Sequence, residues 1–503
     1  MPIELIPDGG VNPDDEAVYE TLEDSLIAPY LRANVRRSIL FRIRGDSFFS
    51  GMKGYASFIR ANFLADGKEA CLILEKDKGE KSPADFIGGG FSYNWKQWRI
   101  TAGDFLAHFG TGLILTTPYS RSGLNLSGSA EKKKSLPNSA QENRNLRGIR
   151  VDWVSQKWSV VALGSYSPRD ARLNPFGTVE RLNFSGIHND SASCAERKQV
   201  AQGLGGMLLC YSGLNVHTGI SLQGIRFNRI FAPKDSTASF FGQNLAGLSF
   251  YCRYGSENKT GELELAHSFP GNGAGMVRFK LNESGINALF TGTVYQKRFF
   301  SPAGRRYALT NNKERVELRG TLGYHKGALK LALTGNTYRD YSVDSIPARL
   351  EIKTGYESRV LAIKLVLNRT YRLEQSRTRA AKVVISTNWD LIQLQFLFCD
   401  EYPEWTIGRG RAVSLNAEVD RNWGKLALGI GWIDISGKGV RVSIPESGPM
   451  QIGTSFSSYQ SALRLSVCGT LRVIRLRQFA AKLGLTRKDH WQTDIGLQWQ
   501  FIS

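Results

Sequence analysis

The last strand-like stretch of the chain, residues 491–502, alternates between two kinds of side chain. One parity holds Trp491, Thr493, Ile495, Leu497, Trp499 and Phe501, and the other holds Gln492, Asp494, Gly496, Gln498 and Gln500. Because a β-strand sends successive side chains to opposite faces, the stretch predicts a strand with one apolar, aromatic face and one polar face. Such a strand covers a soluble core or faces lipid on its apolar side.

The chain closes with Phe501 two residues from its end, behind Trp499 and Gly496. This ending resembles the C-terminal strand of bacterial outer-membrane β-barrels, in which lipid meets the apolar face and the lumen meets the polar face. The resemblance implies that these three residues form an assembly signal for the barrel-assembly machinery. The alternative interpretation is the terminal strand of a soluble β-protein.

The same alternation recurs along the chain and favours the membrane barrel. It is clear in residues 329–333, 361–367, 394–398 and 426–432. With the residues that flank them, these strand-like segments are about ten residues long, which is the length that a tilted strand needs to cross a bilayer. Counting them from about residue 37 predicts about 20 or more strands. The sequence therefore predicts an all-β fold, a large antiparallel transmembrane β-barrel over residues 35–503, with a short helical segment before it.

Bulk properties agree with a barrel and exclude a helical membrane protein. No segment approaches the roughly 18 consecutive apolar residues of a membrane helix. Mean hydropathy is −0.26, as expected where only every second residue meets lipid. Residues 1–34 are acidic and are interpreted as a helical remnant of an upstream domain. They contain no signal peptide, so we expect a processed or truncated chain whose location is the bacterial outer membrane.

The chain carries a formal net charge of +20, and some of its cations occupy the polar parity of predicted strands. On that parity they would line the lumen and attract anions or polyanions. For any one of them, the alternative is a cation that fills a turn or meets anionic lipid headgroups. The predicted lumen cations are Lys330, Lys364, Lys425 and Arg464.

Residues 77–190 carry an ordered series of short motifs. The series is Asp77-Lys78-Gly79-Glu80, Gly103-Asp104-Phe105, Phe109-Gly110-Thr111-Gly112-Leu113, Arg147-Gly148, Arg169-Asp170-Ala171 and Ser185-Gly186-Ile187-His188. In this order they resemble the barrel region of the helix-hairpin-helix outer-membrane proteins of Bacteroidota, Chlorobiota and their relatives. The resemblance covers about a quarter of the chain.

In that family the barrel follows an N-terminal helix-hairpin-helix region. The hairpin with its Gly-rich turn is largely missing from this sequence, although the acidic segment before residue 34 is similar to its tail. A hairpin of that kind can bind phosphates through backbone amides. Nucleic-acid binding is therefore not assigned to any residue of this chain.

The motif residues have mainly a structural interpretation. Gly103, Gly110 and Gly112 permit tight turns or close backbone approach near the barrel rim. Buried charges need partners, and we expect ion pairs in the lumen that pin the long loop between residues 119 and 146. The residues expected to form these pairs are Asp104, Arg147, Arg169 and Asp170.

The sequence offers no catalytic or metal-binding motif. The six histidines are scattered singly, and the six cysteines show no spacing typical of a metal site. His188 lies near Ser185 and Asp190 in a triad-like grouping, which we interpret as part of a loop. We expect no enzymatic activity, no cofactor and no metal.

These patterns predict a non-enzymatic outer-membrane barrel that acts as a pore, transporter or envelope assembly scaffold with a basic lumen. Its expected partners are the lipid bilayer, the barrel-assembly machinery, and anionic solutes or polyanions. The alternative function is a membrane-anchored binding module for DNA or acidic glycan. A conducting lumen distinguishes the first function from the second.

Overall fold

The protein was analysed as a computed structural model. The structure describes residues 35–45, 55–77, 79–80, 82, 84–116, 136–137, 143, 145–184, 186, 188, 190–233, 240–256, 258–304, 314–326, 329–340, 348–357, 361–371, 377–389, 392–402, 409–421, 424–436, 442–445, 455–458, 460–474, 477–487 and 491–502. For part of the second half of the chain only the backbone of the strands is described. The predicted helical segment 1–34 lies outside these residues.

The described chain is almost entirely strand, with one short helix, α1 (Ser191–Glu196). The strands are β1 (Val35–Gly45), β2 (Tyr55–Ala65), β3 (Lys68–Lys76), β4 (Phe86–Trp95), β5 (Trp98–Phe105), β6 (Leu146–Val154), β7 (Trp158–Leu173), β8 (Val179–Asn183), β9 (Val200–Ser212), β10 (Val216–Phe231), β11 (Gly242–Gly255), β12 (Lys259–Phe269), β13 (Gly273–Glu283), β14 (Ile286–Tyr295), β15 (Arg315–Lys326), β16 (Leu329–Asp340), β17 (Ala348–Glu357), β18 (Leu361–Tyr371), β19 (Arg377–Trp389), β20 (Ile392–Tyr402), β21 (Arg409–Arg421), β22 (Gly424–Ser436), β23 (Val442–Pro445), β24 (Ser455–Ser458), β25 (Ala462–Ile474), β26 (Arg477–Arg487) and β27 (Trp491–Ile502).

The strands close into a ring by antiparallel pairing of sequence neighbours. Of the 25 strands in the main sheet, the short β8 is a hairpin arm on β7, and the other 24 form the ring. β23 and β24 form a separate two-stranded sheet. The ring is sealed where β1 pairs with β27, from Ser38 opposite Ile502 to Gly45 opposite Ile495. Closure leaves no open edge, which lipid would not tolerate because unbonded backbone groups cost several kcal/mol each.

The two faces of the wall differ as the alternating sequence predicts. On β10, Ile220 and Leu222 are 45% and 54% exposed, whereas Ser221 and Gln223 are 0% and 6% exposed. The same exposed apolar parity continues around the ring, through Leu331 on β16 to Trp499 on β27. One face of the wall is thus an apolar exterior, and the other faces inward.

The two ends of the barrel differ in the length of their connections. At one end two-residue turns join β2 to β3, β4 to β5 and β13 to β14, and Asp66, Gly67, Ser284 and Gly285 in these turns have positive φ. At the other end the connections span residues 106–145, 174–199 and 296–314. We call this end the long-loop rim. In bacterial barrels short turns face the periplasm and long loops face outward.

The predicted fold class, a large antiparallel β-barrel, is confirmed. The predicted number of about 20 or more strands is confirmed as well. No helix among the described residues is long and apolar enough to cross a membrane.

Candidate functional site

A buried group of ionisable side chains lies at the long-loop rim. We call Glu80, Asp85, Asp170 and His188 the rim cluster, and all four are buried. His188 Nδ1 lies 2.9 Å from Asp85 Oδ2 and 3.6 Å from Glu80 Oε1, and His188 Nε2 lies 2.7 Å from Asp170 Oδ2. One imidazole is therefore surrounded by three carboxylates.

Three stretches that are distant in sequence supply the cluster. Glu80 ends a tight turn in which its Oε2 accepts a 2.8 Å hydrogen bond from the Asp77 backbone N–H, with Gly79 in the left-handed region at φ +97°. Asp85 directly precedes β4, and Asp170 lies on β7 where that strand continues into the β8 hairpin. His188 lies between β8 and α1. The cluster thus joins the β3–β4 connection to the β7–β9 connection.

Neighbouring groups fix the carboxylates of the cluster. Asn143 donates a 2.8 Å hydrogen bond to Asp170 Oδ2, and the Lys198 backbone N–H donates one of 2.8 Å to Asp170 Oδ1. Arg197 Nη2 lies 2.6 Å from Asp85 Oδ1. Lys76 is buried nearby and donates to the backbone carbonyls of Tyr55 and Asp77. Few of the polar atoms here therefore have freedom to move.

The pKa values of the loop residues reflect this crowding. Burial alone lowers the pKa of His188, but the hydrogen bonds and charges of Asp170, Glu80 and Asp85 outweigh burial and raise it to about 11. Burial raises the pKa of Glu80, yet hydrogen bonds from His188 and the Asp77 N–H hold it below its ordinary value. Burial, followed by the charge of Glu80, raises the pKa of Asp77 to about 6. Asp85 and Asp170 thus lie within hydrogen-bond distance of the two ring nitrogens of His188.

Asp104 and Arg147 form an ion pair close to the long-loop rim. The two residues lie directly opposite each other on β5 and β6, and Arg147 Nε is 2.6 Å from Asp104 Oδ1. Asp104 is buried, whereas 46% of the Arg147 side chain is exposed. The Gly89 backbone N–H also donates to Asp104 Oδ2 at 2.8 Å. The arginine and the backbone bond thus satisfy a buried carboxylate.

Gly103, the residue before Asp104, allows three strands to approach closely. It lies opposite Gly90 on β4 and Gly148 on β6, with φ at +93°. A Cβ at this position would collide with the backbone oxygen of Gly89. The position therefore requires glycine.

Arg169 and Asp170 are neighbours with different surroundings. Arg169 is buried and donates to Gln202 Oε1 at 2.7 Å and to the Asn145 backbone oxygen at 3.2 Å. Among the described residues, neither Arg169 nor Asp170 forms an ion pair with Asp104 or Arg147. Their hydrogen bonds to Asn143 and Asn145 hold the end of the long loop, whereas most of that loop lies outside the described residues.

The first part of the β5–β6 connection folds into the barrel. We call residues 107–116 the inner segment; its Phe109, Leu113, Ile114 and Leu115 are fully buried against inward-facing side chains such as Leu208 and Ile225. Phe109 meets Tyr251 of β11 edge to face, with ring centroids 6.2 Å apart. The inner segment precedes the long loop between residues 119 and 146, most of which lies outside the described residues.

Glu264 on the inner face of β12 anchors the inner segment. Its Oε2 accepts hydrogen bonds of 2.5 Å from both the backbone N–H and the hydroxyl of Thr111, and its Oε1 accepts one of 2.8 Å from Ser249. Gly110, at φ +55°, brings the chain close to this carboxylate, because a Cβ there would lie 2.9 Å from Glu264 Oε2. Gly112 closes the turn with a backbone bond to Phe109.

A second connection supports the inner segment from the β14–β15 side. The Thr116 N–H donates to the Ala303 carbonyl at 2.7 Å, and the Ser301 hydroxyl donates to the Ile114 carbonyl at 2.8 Å. Gln223 on β10 also donates to the Ile114 carbonyl. The inner segment is thus bonded to the wall and to residues 299–304, and it narrows this side of the lumen.

The predicted lumen cations are described only in part. Lys425 is half-buried and its Nζ lies 2.6 Å from Glu418 Oε1, and Arg464 is buried and donates to the Thr486 hydroxyl at 2.8 Å. The side chains of Lys330 and Lys364 lie outside the described residues. The inner wall also carries acids, as in the buried pair Arg278–Glu262, so its charges have both signs.

At the C terminus, Trp499 lies on the exterior parity, opposite Phe41 of β1 and Phe479 of β26. Gly496 lies opposite Arg44 and Lys482. Phe501 pairs with Ile39 along the backbone, and its side chain lies outside the described residues. The seam of the barrel is therefore aromatic on its outer side.

The triad-like grouping noted in the sequence is not assembled. Asp190 caps α1 and accepts from the Ser193 N–H at 2.7 Å, whereas His188 turns to Asp85 and Asp170. Ser185 lies outside the described residues. No disulfide joins the cysteines whose side chains are described, which are Cys71, Cys194, Cys210, Cys252 and Cys468.

Sequence reasoning missed Asp85, Asn143 and Glu264. Asp85 precedes a strand in a polar loop, and Asn143 lies in a stretch rich in asparagine and serine, where polar residues are ordinary. The available indication for Glu264 was its place on the inward parity of β12, between Leu263 and Leu265.

No family model and no curated protein matches the chain. Among solved structures, it is similar to the translocation pore of the P pilus usher, with 9% identity, a TM-score of 0.45, and coverage of 93% of this chain and 99% of that one. It is also similar to an anion-selective porin from Comamonas acidovorans (11% identity, TM-score 0.31, 60% and 90% covered). A third is a mutant ferric enterobactin receptor from Pseudomonas aeruginosa (8% identity, TM-score 0.42, 94% and 81% covered). Likenesses this distant assign no activity to the chain.

Proposed function

We propose that this chain is an integral protein of the bacterial outer membrane that acts as a non-enzymatic pore or transporter. The observation that carries the proposal is the closed wall with an apolar exterior, since a soluble protein rarely exposes so extensive an apolar surface. The strands of the ring are 8–16 residues long, which suits a bilayer crossing by tilted strands.

We further propose that the lumen is basic and prefers anionic solutes. The net charge of +20 supports this proposal, as does the inward position of Arg464 and Lys425. Pairs such as Lys425–Glu418 reduce the local field, so the preference rests on the summed excess of cations rather than on single residues.

Reversal potentials in planar bilayers under a salt gradient test this function. We expect single channels with anion preference, and the preference should weaken as salt rises because screening shortens the field to about 8 Å at physiological ionic strength. Cation preference would contradict the basic lumen. A protein that inserts without conducting would favour a membrane-anchored module that binds polyanions.

We also propose that the barrel-assembly machinery recognises the C-terminal strand during membrane assembly. Replacing Trp499 with alanine, or deleting Phe501 and the residues after it, should reduce the heat-modifiable, folded fraction in the membrane more than Gln500→Ala does. The reason is that Trp499 presents an aromatic ring on the exterior face. Equal folded fractions for the three variants would argue against the assembly signal.

The resemblance to the barrels of helix-hairpin-helix outer-membrane proteins is likewise a proposal. It is supported by the meeting of three separate motifs at one place, since Glu80, Asp170 and His188 come from different motifs and lie within one cluster. A shared role in fixing the rim would explain why these motifs occur together and in a fixed order along the chain.

A further inference from the structure

Three donor atoms of the rim cluster are arranged as ligands of a metal ion. Glu80 Oε1, Asp85 Oδ2 and His188 Nδ1 all lie within 4.8 Å of one another, and all three residues are buried. One imidazole nitrogen with two carboxylate oxygens is a donor set that suits divalent transition metals. His188 Nδ1 lies 2.9 Å from Asp85 Oδ2 and 3.6 Å from Glu80 Oε1.

The other side of the imidazole gives an independent indication. In metal sites, the histidine nitrogen that does not bind the metal commonly donates to a carboxylate, which fixes the ring. His188 Nε2 has such a partner in Asp170 Oδ2 at 2.7 Å. Asp170 is in turn fixed by Asn143 and by the Lys198 N–H. The hydrogen bond at Nε2 thus fixes the orientation of the ring, and Nδ1 faces Glu80 and Asp85.

The carboxylates at this place supply anionic oxygens for a cation. Asp77, Glu80, Asp85 and Asp170 bring four carboxyl groups together, and the described cationic side chains beside them include Lys76, Arg169 and Arg197. Arg197 binds Asp85 through Oδ1, whereas Asp85 Oδ2 faces His188 Nδ1. An ion held by Glu80 and Asp85 would have the anionic partners that a buried cation needs.

We propose that Glu80, Asp85 and His188 bind one divalent transition-metal ion, with Asp170 as the positioning residue for the His188 ring. The ion joins the β3–β4 connection to the β7–β9 connection. This site does not depend on whether the lumen conducts, so it goes beyond the pore function.

Metal titration of the full chain, folded in detergent and stripped with a chelator, tests the site. With Zn²⁺ we expect one ion per chain, and with Co²⁺ an absorption spectrum of nitrogen and oxygen ligands without a thiolate band. No stoichiometric binding to the folded protein would overturn the proposal. A thiolate band would also overturn it, because it would place the ion on Cys194, whose Sγ lies 3.3 Å from the His188 carbonyl oxygen.

Two substitutions at Glu80 separate loss of a ligand from loss of the fold. Glu80→Gln keeps the size of the side chain and removes its negative charge. Glu80→Asp keeps the negative charge, but its shorter side chain moves the carboxylate oxygen away from His188 and Asp85. Both should weaken Zn²⁺ binding by at least about tenfold. The matched control is Glu262→Gln, a buried glutamate on the inner wall that pairs with Arg278, and it should bind Zn²⁺ as the unaltered chain does. If the folded Glu80 variants bind as tightly as the control, the proposal is wrong.

Asp170→Asn tests the positioning role. It should weaken Zn²⁺ binding by about 10–100-fold, as loss of an outer carboxylate partner typically does, while keeping one ion per chain and the same Co²⁺ spectrum. A residue that only stabilised the rim would leave the affinity of the folded variant unchanged. That result would remove Asp170 from the site.

Discussion

At the scale of single residues, the face of the barrel wall on which a side chain lies determines which substitutions that position tolerates. Leu331 is an exposed apolar residue on the exterior parity of β16, and Thr334 on the inward parity lies 3.4 Å from the Thr321 hydroxyl. A shift in register by one residue would exchange these environments for the whole strand. The register of each strand is therefore determined by all of its residues together.

Leu331→Arg should lower the free energy of unfolding by about 2–4 kcal/mol if the residue lies near the bilayer midplane, because a guanidinium is poorly solvated by hydrocarbon. Reversible unfolding in lipid vesicles measures the change. Leu331→Met keeps an apolar side chain of similar size and should stay close to the unaltered chain. If arginine costs no more than methionine, Leu331 does not face lipid.

At the scale of elements, the inner segment is the part of the chain whose position bears most directly on passage through the lumen. Its anchor is one carboxylate, Glu264, which accepts from Thr111 and Ser249. Hydrogen bonds to charged groups contribute about 1.5–3 kcal/mol each when their partners are buried. Loss of this charge should therefore loosen the segment without removing a strand.

Glu264→Gln should increase single-channel conductance, because an amide nitrogen replaces one of the acceptor oxygens and the segment is held less firmly. The control is Glu262→Gln on the same face of β12, because Glu262 forms its ion pair with Arg278 rather than with the inner segment. Planar-bilayer recordings of the two variants give the comparison. Equal conductance would mean that the inner segment does not limit flow.

The same scale shows where sequence reasoning succeeds and where it stops. Period-2 alternation is a local property, so strands and their faces could be predicted from residues a few positions apart. The ring of His188 meets Asp85, 103 positions away, and no local pattern encodes such a contact. Asp104 was expected to form an ion pair because buried charges need partners; its partner Arg147 lies 43 positions away on the neighbouring strand, and the register brings the two residues directly opposite each other.

At the scale of the whole molecule, the barrel depends on the pairing of its first and last strands. Ile43 lies opposite Leu497 across this seam, and directly opposed residues on one face bring their Cβ atoms about 4.5–5.5 Å apart. The pairing fixes both the register and the closure of the ring.

In a chain without its native cysteines, the variant I43C/L497C should form a disulfide on mild oxidation. The variant I43C/Q498C should not, because residue 498 follows the opposite parity. Migration on a non-reducing gel, with and without heating, measures the cross-link. A cross-link in the second variant alone would show a register shifted by one residue.

The pairing of β1 with β27 also determines the order in which the strands of the barrel can pair during folding. Its partners, such as Ser38 and Ile502, are separated by nearly the entire chain, whereas the other ring strands pair with neighbours that follow closely in sequence. Contacts between distant residues carry the largest entropic cost of loop closure, so local hairpins form more readily. A nascent chain that ends before β27 holds a curved sheet with two unpaired edges, and only the complete polypeptide can become a sealed wall.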